Sequence, residues 1–331
     1  MIFWIVVFII SLAALVKGAD WLLKSAEKIG LAIGLPSFVV GVVIVGMGTS
    51  FPEVVSSMVA VLKDQTEIVP AGVIGSNIAN ILLIVGLSSV IGGRLAVTKN
   101  LIDLDIPLIA ISTVVFLGTV LDKKIVLGEA IVLLLLFVIY ILYSLLHKED
   151  KEDEKKEKLP GRVERRKHAA AISKKEKVKK RPRIGIGDIV LLIVGLALLL
   201  VGSKYFVDSI IELSAIFSIS TGVITLAAAS VGTSLPELLV SVKAAWNKKS
   251  ELALGGIFGS NIFNILFVVG IPGLFKTLNI DEQTFALGIP VMVVATFLFV
   301  ISGISRRIHI YEGAMYLVVY LFFLGRLFGL L

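Results

Sequence analysis

The sequence contains no cysteine and little charge. Asp, Glu, Lys and Arg together make up 17% of its 331 residues, whereas hydrophobic residues make up 57%. The lack of cysteine excludes disulfides, thiolate nucleophiles and Cys-ligated zinc or iron–sulfur sites. A soluble domain carries about a quarter charged residues, so this composition excludes an ordinary soluble domain and predicts a membrane protein.

Histidine is also scarce. His147, His168 and His309 all lie near predicted loops, and none has a second histidine or a carboxylate cluster at metal-ligand spacing. The sequence therefore predicts no transition-metal site and no organic cofactor. Because it offers neither a nucleophile nor a metal centre, we expect that the protein is not an enzyme.

Ten stretches are long and apolar enough to cross a membrane, which takes about 20 residues in a helix. The first, MIFWIVVFIISLAALV, has no basic residues before it and no cleavage site after it, so we expect a retained span. The others lie near 37–62, 70–91, 105–121, 125–147, 185–211, 221–246, 253–274, 282–303 and 308–328. The predicted fold class is an all-α polytopic membrane protein with ten transmembrane helices.

The net charge of +7 comes from one segment. Residues 147–184 hold 16 Lys or Arg and 8 Asp or Glu, which gives +8, so the rest of the chain sums to −1. A charge confined to one loop does not indicate nucleic-acid binding. We interpret the segment as a flexible linker that faces the cytosol and can bind anionic lipid headgroups.

Basic residues concentrate in the cytosolic loops of membrane proteins. With the linker inside, the predicted topology also places three further basic pairs inside, and both termini become extracellular or periplasmic. These pairs are Arg94 with Lys99, Lys248 with Lys249, and Arg306 with Arg307. We expect a multi-pass protein of the cell membrane that acts as a monomer.

The chain contains an internal repeat. A shift of 184 residues places GTSFPEVVSS at 48–57 on GTSLPELLVS at 232–241. The same shift places GVIGSNIANILLIVG at 72–86 on GIFGSNIFNILFVVG at 256–270. The shared residues include Pro, Glu, Asn, Ser, Thr and Gly, which chance matches among apolar spans do not supply, so the sequence indicates a duplication.

The duplication also predicts the architecture. Residues 1–146 and 185–331 each hold five predicted spans, and 147–184 joins them. Because five is odd, the second repeat inserts with the opposite orientation. Inverted repeats are typical of secondary transporters, whose ion sites lie near the membrane midplane where the repeats meet.

Each repeat has one glutamate midway along a span, Glu53 and Glu237. An ionised carboxylate at that depth costs several kcal/mol unless a partner compensates it. Neither span has a Lys or Arg at the same level. A bound cation is the natural partner, so these residues are the leading site candidates.

Hydroxyl residues precede each glutamate by three and four positions, a spacing that predicts one shared helix face. They are Thr49 and Ser50 in the first repeat and Thr233 and Ser234 in the second. Pro52 and Pro236 lack the N–H that would bond the carbonyls of Gly48 and Gly232, so the sequence predicts free carbonyl oxygens beside them.

The second motif supplies more oxygens. Its Ser and Asn residues stand four apart in both repeats, as Ser76 and Asn80 and as Ser260 and Asn264. Such oxygens suit hard cations like Ca2+ and Na+. Asn77 and Asn261 lie one residue away from this face, and the sequence leaves open whether they contact an ion or bond a neighbouring helix.

GTSFPE with GSNIAN, repeated as GTSLPE with GSNIFN, closely resembles the two alpha-repeats of the calcium/cation antiporter superfamily, in particular prokaryotic sodium/calcium exchangers. The resemblance covers nearly the whole chain. It implies alternating access in which the first and sixth helices slide past a rigid core. Where many relatives have Asp, this chain has Asn264, which resembles the potassium-independent branch.

The resemblance also implies roles for the motif residues. The motifs span 46–53 and 72–80 in the first repeat, and 230–237 and 256–264 in the second. Glu53, Glu237, Thr49 and Thr233 would form the Ca2+ site. The flanking Na+ sites would use Ser50, Ser76, Asn80, Ser234, Ser260 and Asn264, with main-chain carbonyls near Gly46 and Ser230.

The leading functional hypothesis is exchange of Na+ for Ca2+, with both as transported ions. The main alternative is exchange of Ca2+ for protons or another monovalent cation. A passive cation channel is a third alternative from a different class. Flux measurements separate the three, because only an exchanger couples one gradient to the other.

Overall fold

The computed structural model describes residues 1–33, 48–97, 105–157 and 184–331. These residues are mostly helical. The helices are α1 (Ile2–Ile33), α2 (Phe51–Leu62), α3 (Ile68–Gly92), α4 (Ile106–Thr119), α5 (Leu127–Glu157), α6 (Ile186–Phe217), α7 (Thr221–Thr233), α8 (Leu235–Trp246), α9 (Ser250–Gly273), α10 (Thr284–Ile304) and α11 (Ile310–Leu327).

Seven of the described helices are long and apolar enough to cross a membrane. An eighth span forms if α7 and α8, which meet at a bend of 48°, count as one. The helical segments Gly48–Leu62 and Ile106–Thr119 are shorter. Many large apolar side chains are exposed on these helices, as expected for contact with lipid. The predicted multi-pass helical membrane protein is confirmed at this level.

The second predicted span, 37–62, is described only from Gly48, because residues 34–47 lie outside the described ranges.

The first part of the predicted linker, 147–184, differs from the expectation of a flexible segment. Helix α5 continues through its first residues and ends at Glu157 rather than near 147. The segment KEDKEDEKKE is rich in Lys and Glu. These residues favour a helix because their long, unbranched side chains lose little rotamer freedom in it.

Helices α1 and α6 pack along each other through glycines. A Cβ atom built on Gly18 would lie 2.8 Å from the carbonyl oxygen of Gly195. A Cβ atom on Gly202 would lie 3.1 Å from the carbonyl oxygen of Ser11. Gly18 and Gly202 are equivalent under the shift of 184, as are Ser11 and Gly195, so the two contacts of the crossing are equivalent to each other.

The main apolar core surrounds α3 and α9, which are the most buried of the seven long apolar helices. Helix α11 packs on the second half of α3, and α10 packs on α4. A smaller apolar cluster joins α1, α6 and α2 through residues such as Leu15, Leu199, Phe206 and Ala60. The site motifs lie where these two clusters meet.

Two short antiparallel ribbons were not predicted, because three-residue strands leave no periodic signal. Strand β1 (Arg94–Ala96) pairs with β4 (Arg307–His309), and β2 (Lys124–Ile125) pairs with β3 (Leu278–Asn279). The pair Leu95–Ile308 corresponds under the shift of 184 to the pair Asn279–Lys124. The two repeats therefore make equivalent strand pairs with each other.

Candidate ion-binding site

The first motif of each repeat lies at a break in its helix. Gly48–Ser50 form a single 3-10 turn, and α2 begins at Phe51 with Pro52 at its second position. In the second repeat α7 ends at Thr233 and α8 begins at Leu235. The expectation of one continuous helix face from Thr49 to Glu53 was therefore wrong, since proline removes the bond that would continue the helix.

The break turns the hydroxyl residues of one repeat towards the glutamate of the other. Ser50 Oγ donates a hydrogen bond of 3.0 Å to Oε1 of Glu237. The Thr49 hydroxyl also approaches Glu237, and the Thr233 hydroxyl approaches Glu53. The two first motifs therefore form one site together, which requires both repeats.

The two carboxylates are buried beside each other. Glu53 and Glu237 are each 5% exposed, and they lie close enough to repel each other electrostatically. Ser260 Oγ donates a second bond, of 3.3 Å, to Oε1 of Glu237. Within the described residues, no Lys or Arg forms an ion pair with either carboxylate. Two adjacent negative charges without a fixed counter-charge favour a cation.

The second motifs of the two repeats contact each other. Asn80 Nδ2 donates to Oδ1 of Asn261 at 2.9 Å, and Asn264 Nδ2 donates to Oδ1 of Asn77 at 3.2 Å. These two bonds are equivalent under the shift of 184. Asn77 and Asn261 thus join α3 to α9, which answers the question that the sequence left open. The Oδ1 atoms of their partners, Asn80 and Asn264, are buried and have no hydrogen-bond partner among the described residues.

Both second motifs are also locally π-helical. The wider turns span Ala79–Val85 in α3 and Asn264–Val268 in α9, so each includes the asparagine of its motif. Single π-helical turns often occur at functional sites because they shift the register of one helix face. No pattern in the sequence predicts these turns.

Seven oxygens of the predicted site are buried and have no hydrogen-bond partner in the described part of the chain. They are both carboxylate oxygens of Glu53, Oε2 of Glu237, the hydroxyls of Ser76 and Ser234, and Oδ1 of Asn80 and Asn264. Each such atom costs about 1–3 kcal/mol when left unsatisfied. Carboxylate, hydroxyl and amide oxygens are the ligands that Ca2+ takes, in sets of six to eight. The donor set therefore fits a hard cation.

A cavity of about 20 Å³ adjoins Glu53, large enough for one water molecule or one small ion. Its polar wall includes Ser56, Ser57 and Thr225, none of which was predicted. Its apolar wall includes Phe206 and Ile210 of α6. Ser57 aligns with Ser241 in the repeat, and that signal could have identified it.

The structure describes one of the two predicted carbonyl ligands, that of Ser230. Gly46 lies outside the described residues. The Ser230 carbonyl accepts bonds from the Ser234 N–H at 3.1 Å and from the Thr233 hydroxyl at 3.3 Å. As an ion ligand it would have to give up one of these bonds. Among the described residues, no group of three or more His, Asp or Glu side chains could hold a resident metal.

Paired buried carboxylates beside broken helices, in a multi-pass helical protein, define the class of secondary ion transporters. Comparison with known proteins identifies the family. The family model described as "Sodium/calcium exchanger protein" matches residues 3–146 and 187–329. The chain therefore belongs to the sodium/calcium exchanger family of the calcium/cation antiporter superfamily, as its motifs predicted.

Three known proteins are similar to this chain over most of its length. The chain is 32% identical over 357 residues to the sodium/calcium exchanger MaX1 of Methanosarcina acetivorans, and the match covers 97% of both proteins. It is 30% identical to the inner membrane protein YrbG of Escherichia coli, with 88% of this chain and 86% of YrbG covered. Its fold is similar to that of the sodium-calcium exchanger NCX_Mj, with a TM-score of 0.60, 26% identity and 97% of each chain covered.

Proposed function

We propose that this protein is a secondary active antiporter that exchanges Na+ for Ca2+ by alternating access. The observation that carries the proposal is the group of seven buried oxygens, on Glu53, Glu237 and the neighbouring motif residues, that have no hydrogen-bond partner within the described ranges. Both NCX_Mj and MaX1 are named as sodium/calcium exchangers. The site residues of this chain support the proposal that it has the same activity.

The charge of the site explains exchange. Two carboxylates supply −2, which one Ca2+ or two Na+ neutralise. The same pair cannot neutralise both loads at once, so the two kinds of ion compete for one site. An empty site leaves two carboxylates buried without compensation, which disfavours movement without cargo.

The proposed site assigns Ca2+ to Glu53 and Glu237 with Thr49 and Thr233. The remaining motif residues bind Na+ on either side of it. These are Ser50, Ser76, Asn80, Ser234, Ser260 and Asn264, with the carbonyls of Gly46 and Ser230. The contact of Ser50 and Ser260 with Glu237 supports a continuous row of oxygens.

The proposed architecture has ten transmembrane helices in two inverted five-helix repeats, 1–146 and 185–331. The paired ribbons, the asparagine bonds and the glycine crossing of α1 and α6 support it, because each repeats under the shift of 184. In the proposed topology 147–184 is cytosolic and both termini are extracellular or periplasmic. A monomeric state and lipid binding by 147–184 stay predictions.

The test is Ca2+ uptake into proteoliposomes that contain the purified chain. An outward Na+ gradient should drive uptake, and outward Li+, K+ or H+ gradients of equal size should be compared beside it. Uptake driven by the proton gradient alone would favour the alternative of proton/Ca2+ exchange. Uptake without any coupled gradient, together with single-channel currents, would instead indicate a passive channel.

A further inference from the structure

The ribbon of β1 and β4 presents a basic face. In each strand the outer residues are exposed and the middle residue is buried, so Leu95 and Ile308 anchor the ribbon to the core. Arg94 lies opposite His309, and Arg307 lies two residues before His309 on the same face. Diagonal neighbours of this kind are about 7–8 Å apart, which brings the two arginines to one surface.

This ribbon must lie at the level of the lipid headgroups. Strand β1 begins two residues after α3 ends at Gly92, and β4 ends directly before α11 begins at Ile310. Both helices are long and apolar enough to cross the membrane. A three-residue strand advances about 10 Å, so it cannot carry its arginines far beyond the hydrocarbon boundary.

The other ribbon differs although its strand pairing is equivalent. There the buried pair is Leu278 with Ile125, which corresponds to the exposed pair of Arg94 with His309. The duplication kept the pairing, but the two ribbons bury opposite faces. The exposed pair of the second ribbon is Lys124 with Asn279, and Lys124 lies 3.9 Å from Asp122.

Within the described residues, neither Arg94 nor Arg307 forms an ion pair, whereas Lys123, the residue directly before the other ribbon, pairs with Glu282 at 2.5 Å. Glu312, the acidic residue next to β4, is occupied by accepting the His309 N–H at 2.7 Å. Guanidinium groups bind phosphate oxygens through paired N–H donors.

We propose that Arg94 and Arg307 bind the phosphate of an anionic lipid headgroup at the β1–β4 ribbon. The partner is a lipid and not a soluble anion because the arginines lie at the membrane boundary, beside α11, whose large apolar side chains are exposed. This site is separate from the ion site and from residues 147–184. It does not depend on the transport activity.

Trp246 provides a local reporter. It ends α8 and is 72% exposed, and its neighbour Ala245 packs against Gly92 just before β1. The full chain would carry Trp4→Phe and Trp21→Phe, which leaves Trp246 as its single tryptophan. Quenching by brominated phosphatidylglycerol is then compared with quenching by brominated phosphatidylcholine in reconstituted bilayers. The ratio of the two gives the preference for anionic lipid beside the ribbon.

We expect a clear preference for phosphatidylglycerol, reduced by up to about fivefold for each arginine removed. The test variant is Arg94→Gln/Arg307→Gln, and the exposed single change Arg307→Gln serves if the double variant does not fold. The matched control, Lys123→Gln/Lys124→Gln, removes equal charge from the other ribbon and should leave the ratio unchanged. An unchanged ratio in the arginine variants, or an equal fall in the control, would overturn the proposal.

Discussion

Glu53 and Glu237 hold equivalent positions, yet we expect them to respond differently to neutralisation. Both oxygens of Glu53 are buried without a partner in the described structure, whereas Oε1 of Glu237 accepts bonds from Ser50 and Ser260. Glu53→Gln replaces an uncompensated carboxylate with a neutral amide, which costs less inside a membrane. We therefore expect it to raise the free energy of unfolding of the ion-free protein by about 1–3 kcal/mol.

Glu237→Gln should bring no such gain. Its carboxylate has two hydroxyl donors to lose, and hydrogen bonds to charged groups contribute about 1.5–3 kcal/mol each, against about 0.5–1.5 kcal/mol for neutral ones. This loss offsets the benefit of removing the charge. The difference between the two variants reports the unequal hydrogen bonding of the two halves.

Both variants should lose their response to Ca2+. A ligand at 100 times its dissociation constant stabilises the folded state by about 2.7 kcal/mol, which would raise the unfolding temperature of the unsubstituted protein. With one carboxylate left, the site charge falls from −2 to −1, and both this shift and Ca2+ uptake should disappear. The assay is thermal unfolding in detergent, with Ca2+ or with a chelator.

Glu67→Gln is the matched control. Glu67 is a partly buried glutamate outside the site that accepts a hydrogen bond of 2.7 Å from the Thr221 hydroxyl. This variant should keep the Ca2+-induced shift. If Glu53→Gln keeps the shift or takes up Ca2+ normally, or if it is less stable than Glu237→Gln without ions, the reasoning is refuted.

Three further predictions concern other contacts. Ser50→Ala removes a donor to a buried carboxylate and should lower the free energy of unfolding by about 1.5–3 kcal/mol, measured by thermal unfolding without ions. Gly195→Ala places a Cβ 2.7 Å from the Leu22 nitrogen and should cost about 1–3 kcal/mol in the same assay. Neutralising Lys63 or Asp208 breaks the ion pair between the residue that follows α2 and α6, the helix that supplies Phe206 and Ile210 to the cavity wall, and should change the apparent Ca2+ affinity about two- to fivefold.

Each of these has its own control. A Cβ atom built on Gly187 of α6 meets no other described part of the chain within 4 Å, so Gly187→Ala should be neutral or slightly stabilising. Loss of stability in that variant equal to the loss in Gly195→Ala would contradict the crossing argument. The charge exchange Lys63→Asp/Asp208→Lys should restore Ca2+ affinity, and failure to do so would remove the role of the pair. A stable Ser50→Ala variant would show that its bond contributes nothing.

The candidate site residues could be identified in the sequence because their motifs are duplicated. Glu53 and Glu237 stand out in a sequence where charge is scarce, and the shift of 184 aligns them with no gap. Their burial follows from that position, and the structure agrees, since both are buried and neither has a basic partner in the part of the chain that the structure describes. The sequence could equally predict the long apolar helices, since their length and composition suffice.

The pairing of contacts across the repeats could not be predicted. Helical spacing suggested that Thr49 and Ser50 serve Glu53, whereas Ser50 bonds Glu237. The reason is the break before Pro52, which redirects the side chains before it by an amount that spacing alone does not give. The π-helical turn at Asn80 could not be predicted either, because a single extra residue per turn leaves no pattern in an apolar helix.

The two ribbons illustrate a third limit. Strands of two or three residues, such as Arg94–Ala96, are too short for alternation to be detected, and their pairing joins residues far apart in sequence. In the polar wall of the cavity, Ser56 and Thr225 have no duplicated signal either, unlike Ser57. Only the packing of α2, α6 and α7 brings these residues together.

The most direct test of the central claim is the position of the cation in crystals of this protein soaked in Ca2+ or Sr2+. The account predicts an anomalous density peak within about 2.3–2.6 Å of a carboxylate oxygen from Glu53 and of one from Glu237. The peak should disappear in Glu53→Gln crystals. A peak that contacts only one of the two glutamates, or that lies elsewhere in the protein, would contradict the account.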